Sequence, residues 1–102
     1  MPPDGKTRVT YIKIVRKGAI NRTLATIDPN DGETVTLSES DKLELRLYEQ
    51  GTVYDKLIGK CGISYITNTY TPQEVCVHPT NLLGTEKNKF ISAKVKILFQ
   101  IK

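Results

Sequence analysis

The stretch Ile91-Ser92-Ala93-Lys94-Val95-Lys96-Ile97-Leu98-Phe99-Gln100-Ile101-Lys102 decides the fold class of this chain. Every odd position is apolar: Ile91, Ala93, Val95, Ile97, Phe99 and Ile101. Between them stand Ser92, Lys94, Lys96, Leu98, Gln100 and Lys102. A strand sends successive side chains to opposite faces, so this segment reads as a strand with one buried face and one largely wet face. The same alternation sets Leu43, Leu45 and Leu47 against Lys42, Glu44, Arg46 and Tyr48. No stretch of similar length has helical spacing. The pattern predicts a half-solvated antiparallel β domain.

Working outward, turn signals divide the rest into short strands. The first is expected over Arg8–Arg16, ended by Lys17-Gly18, and the second over Asn21–Ile27. Asp28-Pro29-Asn30-Asp31-Gly32 is the strongest turn signal: proline fixes φ, Asp and Asn bond locally, and glycine accepts positive φ. Thr34–Leu37 follows, then the polar bend Ser38–Asp41. The leucine strand runs into a hairpin turn at Gln50-Gly51-Thr52, with Val53–Gly59 returning as its partner. Gly62 is expected to open another strand through Tyr65 and Ile66, and Glu74–His78 forms a short one. Pro79–Gly84 has room for one helical turn. Seven or eight strands with regular turns predict a sandwich or a small barrel, the β-sandwich being favoured. Lys94 and Lys96 would then suit protection of a sheet edge.

Size and composition agree. A chain of 102 residues supports one domain and one core. We expect residues 1–7 to be a flexible lead-in and 8–102 a single domain, a possible module of a longer protein. The net charge of +4 is scattered among acids and singles out no partner. No apolar run is long enough for a membrane span. Met1–Lys6 lacks the apolar core of a secretory signal, so synthesis in the cytoplasm is expected. Cys61 and Cys76 match no zinc spacing and are expected to be reduced, a disulfide between adjacent strands being the alternative.

Catalytic and metal-binding signals are weak. His78 is the single histidine, and Cys76, two residues away, would share its strand face. Nothing nearby resembles a nucleophile elbow or an oxyanion loop, so no catalytic residue is assigned. Residues 28–33 superficially resemble a calcium loop, but the glycine comes one place early and the ligand spacing fails. No metal or cofactor is expected. Lys94, Lys96 and Lys102 line one face of the last strand without an aromatic, because Phe99 points the other way, which disfavours a nucleic-acid groove. Tyrosines at 48, 54, 65 and 70 cluster around the middle hairpins, where exposed rings serve as contact residues. The candidate interaction surface is therefore Tyr48 and Tyr54, with Lys94 and Lys96.

Several landmarks recur in a fixed order: Arg16-Lys17-Gly18, then Asp31-Gly32-Glu33-Thr34-Val35-Thr36-Leu37, then Lys42–Leu47. Pro79-Thr80-Asn81, Gly84 and the closing Lys89–Phe99 follow. This series resembles the immunoglobulin-like N-terminal module of phage baseplate upper proteins and related phage tail and fibre proteins. The likeness spans most of residues 8–101. It departs at Ala19, at Ser38–Asp41 where the family often has glycine, and in a closing strand with few aromatics. The resemblance implies a non-enzymatic structural module of a virion, binding other virion or assembly proteins and self-associating in the full-length protein. It carries over no catalytic residue. The alternative from the residues is a soluble ligand-binding sandwich for lipid, carbohydrate or calcium, using Asp28, Asp31 and Asp55 or the basic stripe.

Overall fold

The computed structural model describes residues 9–29, 31–39, 41–63, 71–82, 90 and 92–100. Seven strands are formed among them: β1 Thr10–Arg16, β2 Arg22–Ile27, β3 Thr34–Leu37, β4 Leu43–Glu49, β5 Lys56–Ile63, β6 Gln73–Val77 and β7 Ala93–Phe99. Four pair in the order β2-β1-β4-β5, and three in the order β3-β7-β6. The chain is an all-β, two-layer sandwich. The layers hold strands 1, 2, 4 and 5 against 3, 6 and 7.

The leucine alternation builds one inner wall. Leu43, Leu45 and Leu47 of β4 stand beside Ile12 and Ile14 of β1, with Ile12 opposite Leu47 and Ile14 opposite Leu45. The closing strand builds the other wall: Ala93, Val95, Ile97 and Phe99 are buried while Lys94 and Lys96 are exposed. Leu37 of β3, Val77 of β6 and Ile58 of β5 complete one core, with Leu82 and Phe90 beside it. Each such side chain contributes about 1.5–3 kcal/mol when fully buried. Ile91 and Ile101, also expected in this face, lie outside the described residues.

Several expectations change. The proposed break at Gly62 is absent: β5 runs unbroken from Lys56 to Ile63, with Gly62 opposite Glu44. The irregularity comes earlier, where Leu47 pairs with Gly59 and Tyr48 with Leu57. Ile58 is thus the extra residue of a bulge, and it is fully buried. A second bulge places Leu24 between the partners of Ile14 and Val15. The continuation through Tyr65 and Ile66 is outside the described residues, as are the lead-in 1–7, Arg8 of the first expected strand, and Leu83 and Gly84 of the expected helical turn.

The lysines of the last strand protect no edge. β7 is the central strand of its sheet, flanked by β3 and β6, so Lys94 and Lys96 stand on a face. The β3–β7 pair is also parallel, Val35 facing Ile97 and Leu37 facing Phe99. Distant segments need no hairpin, so their direction is free of the constraint that makes sequential strands antiparallel. At the predicted turn, Asp31 donates its N–H to the Asp28 carbonyl at 3.1 Å and Gly32 has φ 69°. Lys42, which nothing in the sequence marks, also has positive φ, at 55°.

Candidate interaction surfaces

The outer face of the four-stranded sheet carries an organised set of half-buried aromatic and charged side chains, with Val15 and Glu44 buried among them. Strand register places Tyr11 opposite Tyr48, Lys13 opposite Arg46, and Val15 opposite Glu44. The Tyr11 and Tyr48 rings stack with centroids 5.3 Å apart and planes 15° apart. The Lys13 ammonium lies 5.5 Å from the Tyr48 ring centre. Such cross-strand pairs stabilise a sheet locally by roughly 0.2–1 kcal/mol each. They also fix the rings, so a partner meeting them would have little side-chain freedom to remove.

The stack is tied to the β4–β5 hairpin. The Tyr11 hydroxyl donates to Asp55 Oδ2, and the Gly51 N–H donates to Asp55 Oδ1 at 3.0 Å. Burial, then the hydrogen bond and charge of Asp55, push the Tyr11 hydroxyl up to about 12. The Tyr11 hydrogen bond, followed by that of Gly51, holds the Asp55 carboxyl below its ordinary value. Between these anchors the loop presents Val53 and Tyr54, 91% and 74% exposed. Gly51 is required there, since a Cβ would lie 2.0 Å from the Tyr54 carbonyl oxygen.

Glu44 departs from its expected wet position. It is buried, and Arg46 Nε donates to it at 2.7 Å while Lys17 Nζ stands at 3.5 Å. Burial opposes its ionisation, but the hydrogen bond and charge of Arg46, with those of Lys17, prevail and lower its pKa. The bond to Glu44, then one to Tyr48, strengthens protonation of Arg46. Beside this pair a cavity of about 650 Å³ opens between Lys17, Asp41, Lys42, Glu44, Gly62 and Ile63. Its walls carry both charge signs.

The four residues singled out from sequence do not form one surface. Tyr48 lies on the outer face of the four-stranded sheet and Tyr54 at the adjoining hairpin tip. Lys94 and Lys96 lie on the outer face of the other sheet, where Lys94 pairs with Glu74 at 3.9 Å. Tyr65 and Tyr70 are outside the described residues. Sequence reading missed Tyr11, whose place beside Tyr48 depends on the β1–β4 register. The period-two pattern at Tyr11-Ile12-Lys13-Ile14 was the available signal for its outward orientation.

No family model, curated protein or solved structure matches this chain.

Among the described residues no group of three or more His, Cys, Asp or Glu side chains converges as a metal site. Asp55 is engaged by Tyr11 and Gly51, and the Asp28 carbonyl is engaged by Asp31. Cys61 and Cys76 are free thiols. Among the described residues no helix is long and apolar enough to cross a membrane.

Proposed function

We propose that this chain is a non-enzymatic assembly module that acts through protein–protein contact, within a phage virion such as a baseplate, tail or fibre. The supporting observation is the anchored β4–β5 hairpin. Asp55 joins the Gly51 backbone to the Tyr11 hydroxyl, while Val53 and Tyr54 remain in solvent. A fixed loop with exposed apolar side chains suits recognition, because little loop entropy is lost on binding. Aromatic side chains are also enriched among residues that dominate interface energies. The virion setting rests on the ordered resemblance from Arg16-Lys17-Gly18 to the closing strand, and symmetric self-association would be the usual form of such an assembly.

Mass spectrometry of gradient-purified phage particles from a producing culture tests the setting. Peptides of this chain should copurify with the particles. Confinement to the soluble cell fraction would reject the virion role. Calorimetry with calcium and with anionic vesicles tests the mode of action: saturable binding to either would replace surface assembly with small-ligand or lipid recognition.

A further inference from the structure

We propose that Cys76 is a thiol-modification site, forming a mixed disulfide with low-molecular-weight disulfides while His78 takes up its proton. Cys76 and Cys61 are both partly exposed, but their surroundings differ. Cys61 lies against the core, and its Sγ–H points to the Gly62 carbonyl at 3.6 Å. In β6, Val75 packs on the core and Val77 is fully buried, so alternation turns the intervening Cys76 outward. There its Sγ is 4.0 Å from His78 Nδ1. Lys94 is its direct cross-strand partner on β7. Among the described residues β6 is an edge strand, with β7 on one flank of Cys76 and no strand on the other.

The imidazole is held in position. Ser92 Oγ lies 2.6 Å from His78 Nδ1. Nδ1 has one lone pair, so the Ser92 hydroxyl turns away as Nδ1 takes the Cys76 proton, and the resulting Nδ1–H then donates to Ser92 Oγ. Ser92 is a positioning residue here.

The reaction balances without another reagent. Cys76 passes its proton to His78 Nδ1, and the thiolate attacks one sulfur of the small disulfide. A Cys76–sulfur bond forms as the original S–S bond breaks. Cys76 is oxidised to the mixed disulfide, while the departing sulfur is reduced and leaves as a thiol carrying the proton from His78. Thiol–disulfide exchange proceeds through the thiolate, so a nearby proton acceptor favours it.

The test exposes the reduced chain to oxidised glutathione and follows both cysteines by peptide mass mapping. Cys76 should be modified roughly tenfold faster than Cys61. His78→Asn, which keeps a polar side chain but no proton acceptor of comparable strength, should slow Cys76 several-fold and leave Cys61 unchanged. Equal rates at the two cysteines of the unmodified chain would overturn the proposal without any variant. An undiminished Cys76 rate in His78→Asn would also overturn it. Should Cys61 accelerate in that variant, signalling lost packing, Ser92→Ala decides: slower Cys76 supports the proposal and an unchanged rate rejects it.

Discussion

Replacing Gly59 by alanine should unseat the segment that follows β6. Gly59 lies on the inner side of β5, directly after the bulged Ile58. A Cβ at this position would stand 2.0 Å from the His78 carbonyl oxygen and 3.2 Å from the Pro79 Cα. The contact cannot relax freely, because Asn81 fastens the same segment to β5. Its N–H donates to the Ile58 carbonyl at 3.1 Å, and its side-chain amide donates to the Leu57 carbonyl at 3.0 Å. Forcing the backbones apart costs about 1–3 kcal/mol as overpacking. Loss of the two hydrogen bonds adds about 1 kcal/mol each. The stiffer unfolded chain returns about 0.4–1 kcal/mol. The expected net loss is about 2–5 kcal/mol out of a typical total of about 5–15 kcal/mol. In a domain of this size the Tm should fall by about 10–25 °C.

Gly62→Ala supplies the matched control on the same strand. A Cβ there meets nothing within 4 Å, so this variant should lie within about 1 kcal/mol of the unsubstituted chain. Urea unfolding followed by circular dichroism measures both, which suits a protein without tryptophan. A Gly59→Ala midpoint indistinguishable from that of Gly62→Ala would refute the close approach of β5 to the His78–Pro79 backbone.

Four further outcomes are expected. Tyr11→Phe should destabilise the chain with a defined pH dependence: the folded hydroxyl titrates near 12, above its ordinary value of 10, so its contribution is present below pH 10 and lost as pH rises through 12. Urea midpoints of both proteins across that range, with tyrosinate absorbance, would show the convergence, and a constant gap would contradict it. Glu39→Gln should cost about 0.5–1 kcal/mol at low salt and less at high salt, because Glu39 pairs with both Arg16 and Arg22, which face each other across β1 and β2. Leu45→Ala should cost about 2–5 kcal/mol in the same assay, since Leu45 is fully buried in the core. Lys94→Gln should move stability by no more than about 0.5 kcal/mol, because its ion pair with Glu74 is exposed.

The interaction surface was legible only in part. Tyr48 could be assigned to an outer face from the Leu43-Leu45-Leu47 alternation, and Lys94 and Lys96 from Val95 and Ile97. Their separation onto opposite sides of the sandwich could not, because alternation gives a side chain's face within its own strand and nothing about another sheet. Tyr11 was overlooked for the same reason: its stacking and its bond to Asp55 join residues distant in sequence. Glu44 occupies the outward side of β4 that alternation gave it, yet Arg46 and Lys17 remove it from solvent.

By itself, the sequence determined an all-β chain, the inward face of β4 and β7, and the Asp28–Gly32 turn. Those features arise from period-two burial and from the backbone preferences of single residues, both local properties. Tertiary structure alone decided the strand order, the parallel β3–β7 pair, the bulge that buries Ile58, and the meeting of Ser92 with His78. Each depends on which distant segments share a ladder, and that is settled by how all the apolar faces fit around one core.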